Sequence, residues 1–481
     1  MKKGDILADI VVETMAAEGK CLSRLEEGRV LFIEGAAPGD TVDVQLTRIK
    51  SNFLEGKAVA ITKFSSHRTD PFCKHFGMCG GCKWQHLNYE QQLQYKQQQV
   101  VDNLERIGGV SVKNIRSIIP SADIKHYRNK LDYTFSAQRW LTRDQLEERK
   151  AKQALTPDDI LPFEPALGYH LPSFFDKVFD VEECFLQPEP SNAIRLLVKK
   201  IALENQMEFF DLRKQTGYLR TITLRTASSG EMMVILQVTS DKPEWHEKIL
   251  QGIADHFPQV TSLNYVINAK RNDTFHDLTI VCWKGLPYIT EEMQKPDGSG
   301  VLKFRVGPKS FYQTNSKQAY TLYEVAWKMA DLKGDELVYD LYTGTGTIAS
   351  FVAANAKKVV GLEYVKAAID DAKINASLNG ISNTDFYAGD MKDLLNESFL
   401  NEHGRPDVII TDPPRAGMHE DVCNMLLQAA PKKIVYVSCN PATQARDLKI
   451  LSQKYEVVDI QPVDMFPHTT HVENVVSMIL R

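Results

Sequence analysis

From residue 301 onward, short apolar runs alternate with longer amphipathic segments, and this alternation constrains the possible fold more than any other feature. Four of the apolar runs cover residues 336–340, 358–363, 407–412 and 433–438. Strands this apolar, separated by helical patterns, are typical of a parallel sheet with helices on both faces. We therefore predict a doubly wound α/β domain over residues 301–481.

Polar or reactive side chains stand where these four runs end. They are Asp340, Glu363, Asp412 and the pair Ser438-Cys439. In a doubly wound sheet, ligands bind at the carboxyl ends of the strands. The sequence therefore predicts a binding site formed by these side chains.

The remaining chain follows two other patterns. Residues 1–65 contain about five short alternating runs separated by turn residues, which predicts a small β-barrel. Residues 66–300 mix strand and helix patterns without a regular alternation, which predicts an α+β domain with a charged helical insertion near residues 141–155. A helix is also expected after Asn88, with Asn88 as its cap and Gln91 three residues further on.

Charge and hydropathy limit the partners of the chain. The 481 residues include 57 Lys and Arg against 62 Asp and Glu, a net charge of −5, which argues against binding nucleic acid through bulk positive charge. Residues 74–143, however, hold eleven basic side chains against five acidic ones, so we expect a confined basic surface there. No apolar run reaches the length of a membrane helix, and the N-terminus lacks a signal pattern. We expect a cytoplasmic protein with no membrane contact and no implied protein partner.

A glycine-rich turn follows the first of the four runs, at residues 340–347 (DLYTGTGT). Glycines at such a turn let the backbone approach a ligand closely. Glu363 ends the next strand, about 20 residues on, where a carboxylate can bind ribose hydroxyls. Asp390 ends a further expected strand and could face an adenine amine. This order resembles the S-adenosylmethionine site of Rossmann-like methyltransferases, although NAD binding stays open on these residues alone.

Three further segments carry reactive side chains. Residues 412–415 (DPPR) leave a buried strand through two prolines that fix the backbone. Cys439, in SCNP at 438–441, is a candidate nucleophile, against the alternative of a small buried apolar side chain. Glu473, in HVEN at 471–474, is a candidate general base, against the alternative of an exposed acid at a strand start.

Three of the eight cysteines cluster in a glycine-rich loop. Cys73, Cys79 and Cys82 have the spacing Cys-x5-Cys-x2-Cys, and Cys184 follows 102 residues later. Zinc sites of four cysteines usually combine two Cys-x2-Cys pairs, so the unequal spacing favours an iron–sulfur cluster. The other cysteines are interpreted as structural, except Cys439.

Five motifs together resemble the RNA (uracil-5-)-methyltransferase family. In chain order they are FYQTN at 311–315, DLYTGTG at 340–346, DPPR at 412–415, SCNP at 438–441 and HVEN at 471–474. The resemblance implies S-adenosylmethionine as methyl donor and places Gln313, Tyr342, Glu363, Asp390 and Asp412 at that cofactor.

The resemblance also explains why a cysteine and a carboxylate occur together. Uracil C5 is a poor nucleophile, and addition of the Cys439 thiolate at C6 makes C5 reactive towards a sulfonium methyl group. Glu473 would then remove the C5 proton so that Cys439 is eliminated. The target uridine must leave its stack to reach both side chains.

Family members that act on 23S ribosomal RNA carry an N-terminal TRAM barrel and a [4Fe–4S] cluster, here implied on Cys73, Cys79, Cys82 and Cys184. Residues 127–130 (YRNK) resemble an RNA-contacting segment of the family. We therefore predict a 23S rRNA (uracil-5-)-methyltransferase. A tRNA (uracil-5-)-methyltransferase and a non-catalytic iron–sulfur RNA-binding protein are the alternatives.

Overall fold

The computed structural model describes residues 1–16, 19–155, 163–172 and 174–481. The chain divides into two compact units. The first unit comprises Met1–Gly77, Cys82–Ile124 and Lys317–Arg481, and the second comprises Met78–Gly81 and Lys125–Ser316. The expected division at residues 65 and 300 stays a prediction. The two compact units are divided differently, and residues 82–124 belong with the unit that contains both termini.

The N-terminal part of the first unit is a six-stranded sheet. Its strands are β1 (Ile6–Val11), β2 (Thr14–Met15), β3 (Cys21–Arg24), β4 (Val30–Glu34), β5 (Thr41–Ile49) and β6 (Phe53–Lys63). They are ordered β1-β5-β6-β4-β3-β2, and their apolar side chains alternate into one small core. Gly56 is required here because a Cβ would lie 2.3 Å from Val44 Cγ1 on the neighbouring strand.

Helix α1 (Tyr89–Asn103) follows the loop that contains the clustered cysteines. The predicted cap is confirmed, because the Asn88 side chain accepts a hydrogen bond from the backbone amide of Gln91 at 2.9 Å. The helix continues as a wider turn over Leu104–Gly108 and ends at Gly109, whose φ of 62° is readily adopted by glycine.

The second unit contains a seven-stranded sheet and a separate two-stranded hairpin. The elements are β7 (Lys130–Ser136), α2 (Arg143–Leu155), β8 (Ala166–His170), β9 (Val178–Asp180), α3 (Ser191–Glu204), β10 (Leu219–Thr226), β11 (Met232–Val238), α4 (Pro243–His256), β12 (Val260–Ile267), β13 (Ile280–Gly285), β14 (Ile289–Gln294) and β15 (Val301–Val306). The sheet is ordered β13-β12-β11-β10-β7-β8-β9 and the hairpin pairs β14 with β15. The charged helical insertion expected near residues 141–155 is present as α2.

The C-terminal part of the first unit is the α/β domain that the apolar runs predict. Its elements are α5 (Ser316–Ala330), β16 (Leu337–Leu341), α6 (Thr347–Val352), β17 (Lys358–Glu363), α7 (Lys366–Leu378), β18 (Thr384–Ala388), α8 (Met391–Leu394), α9 (Glu397–His403), β19 (Val408–Thr411), α10 (Glu420–Ala429), β20 (Lys433–Ser438), α11 (Pro441–Leu451), β21 (Tyr455–Val463) and β22 (Glu473–Leu480).

The strand order of this domain is β18-β17-β16-β19-β20-β22-β21. Strands β16 to β20 run parallel to one another, whereas β22 is antiparallel to both β20 and β21. The chain proceeds outward from β16 in one direction and then returns to β19 on its other side. This reversal leaves a crevice at the carboxyl ends of β16 and β19, which is where such sheets bind ligands. In the part of the chain that the structure describes, no helix is long and apolar enough to cross a membrane.

Candidate active site

The glycine-rich turn after β16 is folded around the carboxylate of Asp340. This side chain is fully buried, and its Oδ2 accepts hydrogen bonds from Thr343 Oγ1 at 2.5 Å and from the backbone amide of Ala349 at 3.0 Å. Tyr342 adopts a φ of 62°, and Gly344 and Gly346 also have positive φ values. Asp340 therefore anchors both the turn and the start of α6, which keeps the backbone of the turn at the strand ends.

The second oxygen of Asp340 has no hydrogen-bond partner among the described residues, although it is buried. Burial raises the pKa of Asp340 from 3.8 to about 7, and the nearby charge of Glu363 adds to this effect. An orphaned buried carboxylate oxygen is costly unless a ligand completes its environment.

Glu363 and Asp390 both lie at the strand ends beside this turn. Glu363, at the end of β17, is half-buried and accepts hydrogen bonds from the amides of Gly344 at 3.2 Å and Val365 at 2.9 Å. Asp390 follows β18 and caps α8 by accepting a hydrogen bond from the amide of Lys392 at 3.2 Å. The sheet thus brings Asp340, Tyr342, Glu363 and Asp390 to one edge.

Asp412 enters the same crevice from the end of β19. Its amide donates to the carbonyl of Leu341 at 3.3 Å, which ties the DPPR segment to the neighbouring strand. Burial raises the pKa of the Asp412 carboxyl from 3.8 to about 7, and the charge of Asp340 raises it further. Two acidic side chains therefore lie in one water-poor region, where a cationic ligand would stabilise their charged forms.

The chain leaves Asp412 through a turn that only glycine fits at residue 417. Gly417 has a φ of 76°, and a Cβ there would lie 2.7 Å from both Arg446 Nη2 and Asp447 Oδ2. Asp447 is fully buried and accepts hydrogen bonds from the amide of Met418 at 2.8 Å and the hydroxyl of Tyr436 at 2.7 Å. The end of the DPPR segment is therefore fixed on α11.

Cys439 and Glu473 face each other across the antiparallel pair β20–β22. The last paired residues at this end are Ser438 and Asn474, so the next positions are Cys439 after β20 and Glu473 at the start of β22. Glu473 is 3% exposed, whereas Cys439 is partly exposed. The strand register thus brings the candidate nucleophile and the candidate base together at the crevice.

The turn that carries Cys439 is held by hydrogen bonds on both sides. Ser438 Oγ accepts from the amide of Asn440 at 3.1 Å, and Asn440 Oδ1 caps α11 by accepting from the amide of Ala442 at 3.1 Å. Asn440 Nδ2 and Thr443 Oγ1 both donate to the carbonyl of Arg415, at 3.1 and 3.2 Å. These contacts attach the DPPR segment to the SCNP segment.

Electrostatics in this region suppress ionisation of both reactive groups. Burial raises the pKa of the Cys439 thiol from 9.0 to about 11, with further increases from Glu473 and Asp412, while Arg415 acts in the opposite direction. Burial also raises the pKa of Glu473 from 4.5 to about 8. The charge of Asp412 raises this pKa further, and the charge of Arg415 lowers it. These mutual effects place Cys439, Glu473, Asp412 and Arg415 within electrostatic range of one another.

Gln313 belongs to the second unit and lies in the FYQTN loop after β15. It is 9% exposed, and its carbonyl accepts a hydrogen bond from Asn129 Nδ2 at 2.9 Å. The amide of Asn129 also donates to the carbonyl of Thr314 at 2.8 Å. Asn129 therefore supports this loop. Sequence reasoning missed that role, because the two segments are nearly 200 residues apart and no local spacing connects them.

The four cysteines of the predicted cluster are divided between the two units. Cys73 and Cys82 belong to the first unit, and Cys79 and Cys184 to the second. The Cys184 amide donates to Asn192 Oδ1 at 2.8 Å, and its thiol is buried. Within the described ranges, no group of three or more His, Cys, Asp or Glu side chains is arranged to hold a metal ion. The iron–sulfur cluster therefore stays a prediction.

The sheet has the strand order of a Rossmann-like methyltransferase, with an antiparallel pair at its C-terminal end. The glycine turn and the acidic side chains at the strand ends fit the same fold. A sequence profile described as tRNA (Uracil-5-)-methyltransferase matches residues 281–481, and a TRAM domain profile matches residues 8–59. The TRAM match covers the six-stranded sheet and confirms the N-terminal β module.

Relatives extend over nearly the whole chain. An uncharacterized RNA methyltransferase of Bacteroides thetaiotaomicron is 53% identical, covering 97% of this chain and 100% of its own length. One of Porphyromonas gingivalis is 51% identical over 97% of this chain and 99% of its own length. The crystal structure of Pyrococcus abyssi tRNA (uracil-54, C5)-methyltransferase with S-adenosyl-L-homocysteine has a TM-score of 0.73 at 25% identity, covering 98% of this chain and 100% of that one. The chain belongs to the RNA (uracil-5-)-methyltransferase family.

Proposed function

We propose that this RNA methyltransferase transfers a methyl group from S-adenosylmethionine to C5 of a specific uridine in 23S rRNA. The observation that carries the proposal is the register of β20 and β22, which sets Cys439 and Glu473 opposite each other at the crevice of the sheet. A thiol and a carboxyl group at one site are the two groups that C5 methylation requires.

The crevice fits the proposed cofactor. Tyr342, Glu363, Asp390 and Asp412, which lie at the strand ends of the first unit, would hold S-adenosylmethionine, and the family resemblance adds Gln313. When bound, this cofactor supplies an electrophilic methyl group on a positively charged sulfur. The raised pKa values of Asp340 and Asp412 support the assignment, since a nearby positive charge would stabilise both carboxylates.

Each reactive residue has a defined part in the proposed reaction. The Cys439 thiolate adds through Sγ to C6 of uracil, and the electron pair of the C5–C6 double bond moves towards C5 and O4. The C5 atom would then bond to the methyl carbon while the bond from that carbon to the sulfonium sulfur breaks, which would leave S-adenosylhomocysteine. The Glu473 carboxylate accepts the C5 proton, the C5–C6 double bond re-forms, and the bond between C6 and Cys439 Sγ breaks. Because Glu473 is almost fully buried, the target base would have to be extruded from its stack to reach it.

The choice of 23S rRNA rests on the TRAM module and the clustered cysteines, which resemble the rRNA-modifying branch of the family. A tRNA substrate is the second candidate, supported by the similarity to the Pyrococcus abyssi enzyme. Mapping of 5-methyluridine by mass spectrometry in 23S rRNA and tRNA, from a deletion strain and its parent, distinguishes the two. Loss of the modification from 23S rRNA alone is expected, whereas loss from tRNA alone would favour the second candidate.

The role of Cys439 is tested with purified protein and an RNA substrate identified in that mapping. Cys439→Ala should abolish methylation and still bind S-adenosylhomocysteine. Glu473→Gln should accumulate a covalent protein–RNA adduct that survives denaturing electrophoresis, because the C5 proton stays in place. Methylation by Cys439→Ala at the wild-type rate would refute the covalent mechanism.

We further propose that Cys73, Cys79, Cys82 and Cys184 bind a [4Fe–4S] cluster. The proposal rests on the family resemblance and on the four thiol groups, which are the donor set that such a cluster takes. Anaerobic purification should yield a brown protein with about four iron and four sulfide per chain. A colourless anaerobic preparation with no iron would reject the cluster while leaving the proposed methylation intact.

A further inference from the structure

Most of the segment that leads into Glu473 is buried although it contains no helix or strand. Residues 464–472, here called the approach segment, connect β21 to β22 within the first unit. Asp464 is fully buried, His468 is 4% exposed and Val472 is 1% exposed. His468 also has a φ of 64°, which a residue other than glycine adopts only when its surroundings hold it there. The position of Glu473 thus depends on what fixes this segment.

One polar stripe on helix α1 forms hydrogen bonds that fix the approach segment. Tyr89, Gln92 and Lys96 recur at intervals of three and four residues, so they lie on the same face of the helix. We call these three residues the α1 stripe. Gln92 and Lys96 are both fully buried, which is unusual for their residue types. The α1 stripe thus differs from Val100 on the same helix, which packs into the apolar core, and its polar groups need hydrogen-bond partners.

Asp464 is held by two members of the α1 stripe. Lys96 Nζ donates to Asp464 Oδ1 at 2.6 Å and to the carbonyl of Phe466 at 2.9 Å. The hydroxyl of Tyr89 donates to Asp464 Oδ2 at 2.8 Å. Both carboxylate oxygens of Asp464 are therefore bonded to α1, at the point where the approach segment begins.

Gln92 fixes the middle of the approach segment. Its Oε1 accepts from the backbone amide of His468 at 2.9 Å, and its Nε2 lies 3.2 Å from His468 Nδ1. The carbonyl of His468 accepts from the amides of Lys83 and Trp84 at 2.8 and 3.0 Å. The strained residue of the segment is thus bound from both sides.

The energetic cost of this arrangement argues for a role beyond stability. Replacing a fully buried ion pair such as Lys96–Asp464 with well-packed apolar side chains is often neutral or stabilising. Burial lowers the pKa of Lys96, which reflects the same desolvation cost. The polar contacts define a single backbone path for the residues before Glu473, which apolar contacts would not do.

We propose that Tyr89, Gln92 and Lys96 are positioning residues for Glu473, acting through the approach segment. The inference rests on the proposed function and concerns the step in which the Glu473 carboxylate removes the C5 proton. In that step the C5–H bond breaks, its electron pair forms the C5–C6 double bond, and Cys439 leaves C6 as the thiolate. Cys439 is carried by a different turn, after β20, so we expect its addition to C6 to respond less to changes in the approach segment than proton removal by Glu473 does.

The test separates formation of the covalent adduct from its breakdown. Full-length Gln92→Ala is mixed in excess with substrate RNA and S-adenosylmethionine, and the adduct and 5-methyluridine are followed in a single turnover. Adduct formation should stay within about twofold of the wild-type rate, while adduct breakdown should slow by about tenfold to a hundredfold, the effect of a small misplacement of a reacting group. The adduct should therefore accumulate in this variant and not in wild type.

Two further variants make the experiment decisive. Gln98→Ala changes the same residue type on the exposed side of α1 and should behave as wild type. Tyr89→Phe removes only the hydroxyl, which donates to Asp464 and accepts from the amide of Ser121, both at 2.8 Å. It should show a smaller accumulation, which keeps the inference testable if Gln92→Ala does not fold. Equal slowing of adduct formation and breakdown in both stripe variants, or wild-type kinetics in both, would overturn the inference. Absence of any adduct or product with wild type and Glu473→Gln would instead overturn the proposed function.

Discussion

Glu473 opens β22 opposite Cys439, the residue that follows β20, one position beyond the last paired residues of the two strands, Ser438 and Asn474. Burial raises the pKa of both side chains, to about 8 for the carboxyl and about 11 for the thiol. Asp340 and Asp412 lie at the neighbouring strand ends with pKa values near 7. The crevice therefore holds several acidic groups whose charged forms are disfavoured until a positive charge binds.

The first prediction concerns the pH dependence of cofactor binding. From about pH 6 to about pH 9, Asp340 and Asp412 lose their protons, and the resulting carboxylates attract a sulfonium cation. The affinity for S-adenosylmethionine should rise relative to that for S-adenosylhomocysteine, by about tenfold, because only the former carries a charge on sulfur. Isothermal titration calorimetry with both ligands at constant ionic strength measures this ratio.

The Asp412→Asn variant provides the control for that titration. It keeps the shape of the side chain but cannot gain a negative charge, so the rise in the affinity ratio should be smaller. A ratio that does not change with pH in the wild-type protein would contradict the assignment of these carboxylates to the cofactor.

The second prediction concerns stability. The pKa of Glu473 is higher in the folded protein than its ordinary value of 4.5, so the folded state binds this proton more tightly than the unfolded chain does. The free energy of unfolding therefore falls as pH rises from about 4.5 to about 8. Glu473→Gln should remove this loss of stability and stabilise the protein at about pH 9 by on the order of 5 kcal/mol, with little effect near pH 5.

Urea unfolding at the two pH values measures this difference. Glu456→Gln is the matched control, because Glu456 lies on the adjacent strand β21 with an exposed side chain. Equal effects of the two substitutions at both pH values would show that burial of Glu473 carries no cost.

The sequence alone was sufficient to predict the α/β domain and its polar strand ends. Apolar runs and turn residues are local signals, and parallel strands necessarily place Asp340, Glu363 and Asp412 at one edge of the sheet. The pairing of Cys439 with Glu473 also follows once β22 is known to be antiparallel to β20. The antiparallel orientation of β22, however, is a property of the whole sheet, which the periodicity of apolar residues does not predict. The family resemblance pointed to Cys439 and Glu473 instead.

The contacts of helix α1 could not be predicted in the same way. Gln92 and Lys96 lie in a glutamine-rich stretch whose composition is typical of a solvated surface, yet both are fully buried. Their partners Asp464 and His468 are about 370 residues away in the sequence. Only the folded chain reveals that these polar groups satisfy one another, since polar side chains are buried where long-range partners exist.

The third prediction concerns the turn after the DPPR segment. Gly417→Ala forces a Cβ to within 2.7 Å of Arg446 and Asp447, in addition to the strain of a positive φ. It should destabilise the protein by about 2 to 4 kcal/mol, combining about 1 kcal/mol of backbone strain with the steric term. Gly380→Ala is the control, because Gly380 has a φ of 65° with open space around it and should cost only about 1 kcal/mol. Similar unfolding midpoints for the two variants would contradict the steric argument.

The last prediction separates two neighbouring residues of the YRNK segment. Arg128 is partly exposed and belongs to the basic region of residues 74–143, whereas Asn129 is 8% exposed and bonds the carbonyl of Gln313. Arg128→Glu should weaken RNA binding at low salt by about tenfold or more and leave the affinity for S-adenosylhomocysteine unchanged. Asn129→Ala should weaken the affinity for S-adenosylhomocysteine and leave RNA binding unchanged, because it releases the loop that carries Gln313, which the family resemblance assigns to the cofactor. Filter binding with RNA and calorimetry with the cofactor product measure the two effects, and loss of RNA binding in Asn129→Ala alone would reverse the assignment.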